Sequence, residues 1–374
     1  MSAGLIDQIH RILLDAPLLK KSIICTREDV DDRIAQTDNV KTGGSHDYLA
    51  LVFQTADCQT RQMDATTSHA KWAGMKIAYL ASRVTLPGSD IRRSDAFEHD
   101  YMMNALVPAF AAQGMTLIDI SWDDEEADWA SFDAAVIGTT WDYWDRMDEF
   151  LATLERIGQQ TRLFNPPELV RWNIRKTYLR HLEAKGAELI PTLWLDSVTR
   201  KDVESAFDLL GSDDLVFKRQ VGAGAKDQHR LTRGGPVPDM PHAMMAQPFM
   251  KMIQDEGEIS FIFIDGEFSH ALVKRAALGD YRIQSAYGGS EQTLTPSTAD
   301  LASAQAVIAT MEAVPLYGRV DMLRAPEGNL LLMELELIEP YLYPIEGPNL
   351  GTKMASAIVR RMRPESLGLH TQLT

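Results

Sequence analysis

Cysteine is nearly absent: Cys25 and Cys58 are the only two in 374 residues. Two thiols cannot build a disulfide framework or a four-ligand zinc site. No apolar run reaches the roughly 18 residues needed to cross a bilayer, so no membrane span is expected. The leading segment MSAGLIDQIHRILLDAPLLKK carries Asp7 and has no continuous apolar stretch before a small-residue cleavage site, so a cytoplasmic chain is expected. Positive charge is also short. There are 37 Lys and Arg against 53 Asp and Glu, a formal net charge of −16. That balance argues against broad nucleic-acid binding, which needs a basic surface. It does not exclude a small phosphate-bearing ligand, because a local cluster of cations can hold one on an acidic protein. The histidines do not gather at metal spacing, and no G-x-S-x-G elbow, Ser-His-Asp arrangement or GxxxxGK[ST] phosphate loop occurs.

The composition is otherwise that of an ordinary globular protein, 45% hydrophobic and 24% charged. At roughly 150 residues per domain the length predicts two or three domains. The first 74 residues differ from the rest. They hold both cysteines and are almost neutral, with eight basic and ten acidic residues. A helix at Leu5 to Leu19 and a short strand at Tyr48 to Phe53 are expected there, separated and followed by polar stretches that bury little. The segment reads either as a small, poorly ordered appendage or as sequence ahead of a true start at Met75.

At Met75 the pattern changes. KIAYLA, MTLIDISW, FDAAVIGTT and TRLFNPP read as strands, with helices at 95–113 and 148–160 between them. Strands alternating with helices predict a parallel sheet covered on both faces, with its ligand beyond the carboxyl ends of the strands. The loop GTTWDYWD follows such a strand, so Trp141, Asp142 and Tyr143 either line a cleft or pack in the core. A helix is expected over RWNIRKTYLRHLEAKG, closed by Gly186. Further on, GEISFIFIDGEFSHALVKRA reads as a hairpin turning at Asp265-Gly266.

Three groups of residues carry chemistry. Lys218 ends the apolar strand LVFK, where an ammonium needs an anionic partner or a way to water. The glycine pair Gly222 and Gly224 follows, able to bring backbone N–H groups close to phosphate; Lys176 lies on the preceding helix. The second group is Asp321, Glu334 and Glu336, on two strands joined by the turn APEG. Spacing of two puts Glu334 and Glu336 on one face with Leu332 and Ile338. A register that pairs Asp321 with either glutamate gathers three carboxylates. Such a group repels unless neutralised, and an all-oxygen set suits Mg²⁺. The third group, Lys274, Arg275 and Arg282, is either an anion site or a solvated surface.

Taken in order, RWNIRKTYLRHLEAKGAELIPT, LVFKRQVGAGAKD, AQPFM with GEISFIFIDGEFSHALVKR, GRVDM and LLLMELELIEP resemble the ATP-grasp superfamily. The resemblance is to its glutathione synthetase and ribosomal-S6-modification ligase type, in the branch that includes the cycloserine-forming O-ureido-serine cyclo-ligase. It covers about Met75 to Arg361. It implies an α/β protein, α+β in its C-terminal part, with an N-terminal parallel-sheet pre-ATP-grasp domain over 75–168. An ATP-grasp lid or central subdomain at 169–246 and a metal-bearing C-terminal subdomain at 247–374 would follow, the extension 1–74 lying outside. It implies that Lys176 and Lys218 contact ATP, that Gln247 and Phe249 belong to the hinge reading adenine, and that Glu258 holds the ribose. Residues 221–225 would form the lid. Lys274 and Arg282 would act on the transferring phosphoryl group, Arg275 and the Trp141–Tyr143 loop on the substrate. Asp321, Glu334 and Glu336 would bind Mg²⁺; Glu336 stands where many relatives have Asn. The implied activity is ATP-dependent C–N ligation of small-molecule carboxylate and amine substrates through an acyl-phosphate, without nucleic-acid or membrane partners. A non-catalytic ATP-binding module is the rival reading.

Overall fold

The computed structural model describes residues 74–222, 224, 226–277 and 288–363. The expectations for the leading segment, for Arg282 and for part of the 221–225 loop lie outside the described residues. Among the described residues, no helix is long and apolar enough to cross a membrane.

Strands β1 (Lys76–Ala81), β2 (Thr116–Ser121), β3 (Ala134–Ile137) and β4 (Arg162–Phe164) form one sheet in the order β2-β1-β3-β4. All its pairings are parallel. Five residues of β1 and all of β3 are buried, as a sheet covered on both faces requires. Helices α1 (Phe97–Ala111) and α2 (Met147–Gln160) supply that cover. On α2 the buried Phe150, Thr153, Leu154 and Ile157 recur at helical spacing and form its core-facing stripe.

The single helix expected at 171–186 is two. α3 (Pro167–Asn173) and α4 (Tyr178–Ala184) are separated by a break holding Lys176. Tertiary bonds outcompete the helical ones there. Asn173 donates through Nδ2 to the Leu335 carbonyl at 2.9 Å and accepts from the Leu337 amide at 3.0 Å. The Lys176 amide donates to Gln220 O at 2.8 Å.

A small antiparallel sheet follows, ordered β5-β8-β6-β7, from β5 (Leu193–Leu195), β6 (Asp214–Arg219), β7 (His229–Thr232) and β8 (Met244–Pro248). Helix α5 (Arg200–Leu209) covers it, started by a capping box between Thr199 and Asp202. Val203, Phe207, Leu215, Phe217 and Leu231 make this sheet's own core.

After the short α6 (Met252–Asp255) comes a larger antiparallel sheet, ordered β11-β10-β9-β12-β13. Its strands are β9 (Glu258–Ile264), β10 (Glu267–Arg275), β11 (Ser290–Leu294), β12 (Tyr317–Arg324) and β13 (Leu330–Glu336). Helix α7 (Thr298–Ala309) precedes β12, and α8 (Leu350–Arg361) closes the described chain. The β9–β10 turn is at Asp265-Gly266, with φ of 57° and 77°, the left-handed pair a two-residue hairpin demands. This sheet shares a core with the parallel one: Ile77, Leu106 and Phe110 pack with Ile262, Leu272, Tyr317 and Met354. The Tyr317 hydroxyl also bridges them, 2.8 Å from Ile137 O and 2.7 Å from Ile338 O. The architecture is a mixed α/β fold with one parallel and two antiparallel sheets.

Candidate active site

A cleft of about 340 Å³ is lined from all three sheets. Arg93, Trp141 and Trp144 reach it from the parallel-sheet loops, Lys218 and Phe249 from the small sheet, and Lys274, Asp321 and Glu334 from the large one. Its lining holds seven basic and eight acidic side chains, so the site is close to neutral within a chain of −16.

The large-sheet wall is a buried charge network. Asp321 pairs across the sheet with Glu334, and Arg319 with Glu336. A β-bulge between Asp321 and Met322 then places Leu332 opposite Met322. Leu332 is therefore fully buried in the core and does not share the glutamates' face as simple alternation predicts. Asp321 is 1% exposed and accepts from Arg319 Nε at 3.0 and 3.1 Å, from Lys274 Nζ at 3.3 Å and from the Ser260 hydroxyl. Burial raises its pKa, but Arg319 and Lys274 outweigh that and hold it below the usual carboxylate range. Lys274 also ion-pairs with Glu258. Beside this pair the backbones approach closely at Gly257, where a Cβ would lie 2.4 Å from the Lys274 carbonyl. Burial pushes Glu258 up to about 7 despite Lys274. Glu336 meets Arg319 Nη2 and is also held near 7, by burial first and then by Glu334.

The opposite wall is different. Lys176 Nζ donates to Gly222 O at 2.7 Å and lies 2.8 Å from Glu334. Burial lowers its pKa, yet Glu334 outweighs this and leaves it above the usual lysine value. The Lys218 side chain has no hydrogen-bond or ion-pair partner among the described residues. Burial depresses its pKa and the more distant Glu334 and Glu258 do not compensate. Gln247 is 2% exposed, with Nε2 donating to Thr192 Oγ1 at 2.9 Å. The Phe249 ring carries the Arg230 guanidinium at 3.3 Å, and its amide donates to Asp214 O at 2.8 Å.

The cleft thus brings together Lys176, Lys218, Gln247, Phe249, Glu258, Lys274, Asp321, Glu334, Glu336 and Trp141. Three other expected residues are placed elsewhere. Asp142 accepts from Trp122 Nε1 at 2.8 Å. Tyr143 packs against Phe150 in the core beneath the loop. Arg275 alternates to the face opposite Lys274 and donates to Gln292 at 3.0 Å. Two residues that motif reading passed over are central. Arg319 is the cation between Asp321 and Glu336, two positions before Asp321 and so on its face. Glu339 lines the cleft just beyond β13 as the last acid of the ELELIE run.

The donor set of Asp321, Glu334 and Glu336 is all oxygen and suits Mg²⁺ chemically. Among the described residues, no three acidic side chains converge closely enough to hold an ion. Arg319 stands between Asp321 and Glu336, and Lys176 occupies Glu334. Burial first, and neighbouring carboxylates after it, raise the pKa values of Glu336 and Glu339.

A parallel sheet, a small antiparallel sheet and a large one meet at a cleft with paired lysines and facing carboxylates, the arrangement that the resemblance to ATP-grasp ligases implies. The comparisons agree. Residues 77–165 match the model of the N-terminal domain of D-cycloserine synthetase DcsG. The cycloserine biosynthesis protein DcsG of Streptomyces lavendulae is 31% identical over 287 residues, 71% of this chain and 95% of the relative. The crystal structure of D-cycloserine synthetase DcsG aligns at a TM-score of 0.65 and 27% identity, over 77% of this chain and all of that one. The D-alanine–D-alanine ligase of Bacillus anthracis shares the fold, at a TM-score of 0.55 and 16% identity over 78% of this chain and 99% of that one. The chain belongs to the ATP-grasp ligase family that contains the cycloserine synthetase DcsG, and it is an ATP-dependent ligase.

Proposed function

We propose that the protein joins a small, amino-acid-like carboxylate to an amine through an acyl-phosphate, using ATP and Mg²⁺. The observation that carries this reading is the pairing of opposites across one cleft. Lys218, a desolvated cation without a counter-ion among the described residues, faces a wall carrying Asp321, Glu334 and Glu336. An anionic phosphate chain satisfies the first. A divalent cation satisfies the second and, when bound, neutralises the phosphates. In this reading Lys218 and Lys176 hold the transferring group, and Gln247 and Phe249 border the nucleotide base; all four line the cleft. Lys274 and Arg319 fix Asp321, so that little reorganisation is needed as charge develops in the transition state. A carboxylate has a poor leaving oxygen. Its phosphorylation supplies a good one, and the aromatic wall of Trp141 and Trp144 helps to exclude the water that would hydrolyse the product.

Purified protein with ATP, Mg²⁺ and pairs of amino acids is expected to release ADP and phosphate only with a matching pair. Tight ATP binding without ADP formation from any pair would indicate a nucleotide-binding module instead. Glu334→Gln is expected to lower kcat by about 10²-fold or more with an unchanged unfolding midpoint. Unaltered turnover would remove Glu334 from the metal site.

A further inference from the structure

The segment following β13 is held with unusual completeness. Asn165 Nδ2 donates to Leu337 O at 2.8 Å, and the Leu337 amide donates to Asn173. The Tyr317 hydroxyl lies 2.7 Å from Ile338 O, and Trp141 Nε1 donates to Glu339 O at 3.0 Å. Arg319 Nη1 donates to Tyr341 O at 3.0 Å. The one carboxyl this firmly held segment carries, that of Glu339, lines the cleft. Asp321, Glu334 and Glu336 are each committed to a cation. Glu339 has no ion-pair partner among the described residues, and the Tyr143 hydroxyl interacts with it from the parallel-sheet side.

We propose that Glu339 accepts the proton of the amine nucleophile, and that Trp141 and Tyr143 are positioning residues for it rather than substrate contacts. This rests on the carboxylate–amine ligase reading above. The amine lone pair forms the C–N bond to the acyl carbon. The C–O bond to phosphate breaks, with its electron pair leaving on phosphate, and the nitrogen's proton passes to the Glu339 carboxylate. Nothing is oxidised or reduced. Around Glu339, burial raises the pKa first and Glu336 adds to that, with Glu334 behind, while Tyr143 and Lys176 pull back.

The test separates amine transfer from carboxylate activation. Wild type and Glu339→Gln are compared with ATP, Mg²⁺ and the common amino acids in L and D form. They are assayed for amine ligation and, separately, with hydroxylamine, which is neutral at neutral pH and needs no base to free its lone pair. Glu339→Gln keeps the side-chain shape and removes one buried acid, so the fold is retained. Expected is a loss of about 10²- to 10⁴-fold in amine ligation, with hydroxamate formation close to wild type and the acid limb of the pH–rate profile gone. Equal loss in both reactions would place Glu339 in activation, and unchanged ligation would remove it from catalysis; either overturns the proposal. Absence of hydroxamate from wild type overturns the ligase reading itself, and this assignment with it. Tyr143→Phe is expected to move the acid limb to higher pH and lower kcat with KM unchanged, because the hydroxyl favours the charged form of Glu339. An unmoved limb would make Tyr143 merely structural.

Discussion

On the large-sheet wall of the cleft, Asp321 lies between Arg319 and Lys274, Glu336 against Arg319, and Glu258 against Lys274. On the small-sheet wall, Lys218 faces the same space without a partner among the described residues. In the first arrangement each acid has a cation of the protein against it; in the second the cation has no acid against it. Buried charges matched inside the protein hold a wall in one geometry, and a desolvated cation left over asks for an anion from outside.

The comparison can be broken most forcefully at its best-satisfied point. Arg319→Ala strands Asp321 and Glu336 and is expected to cost about 3–5 kcal/mol in stability, read from urea unfolding; a cost below about 1 kcal/mol would mean the network is not what holds the wall. Lys218→Met should do the reverse. Its unfolding midpoint is expected to stay level or rise, while affinity for a non-hydrolysable ATP analogue with Mg²⁺ falls about 10- to 100-fold in calorimetry, the worth of a charged hydrogen bond. A Lys218 variant that loses stability and keeps its affinity would erase the distinction between the walls. The smallest effect is expected at Lys226, which reaches from the small-sheet loop to Asp145 at 3.1 and 3.2 Å. An exposed pair of this kind is worth about 0.2–1 kcal/mol, so Lys226→Ala should change the KM for ATP less than about fivefold. The change should fade as salt is added.

Much of this was legible in the sequence where local pattern and tertiary demand agree. The alternation of apolar strands and helices after Met75 announced the parallel sheet, and Asp265-Gly266 announced the β9–β10 hairpin of the large antiparallel sheet, because such residues readily take the left-handed turn. Strand period and turn position alone set Asp321, Glu334 and Glu336 on one face, and they line one cleft. The failures share one cause. The break at Lys176 is imposed by Asn173 bonding to β13 and by the bond to Gln220, partners more than forty residues away. Leu332 changes face because of a bulge that no run of apolar letters reveals. Arg319 stood in plain view beside Asp321, but its role depends on a cross-strand register with Glu336. Glu339 lies outside the strand whose period marked the other acids, and Tyr143, two residues from a cleft-lining tryptophan, turns inward to meet it.

The double contact of the Tyr317 hydroxyl with Ile137 and Ile338 has a mechanical consequence. It stitches the parallel sheet to the large antiparallel sheet across a core they already share. Close-packed interiors yield little, so the two sheets keep one spacing, and the cleft walls that each contributes, Trp141 from the first and Asp321 and Glu334 from the second, are held in fixed register with one another.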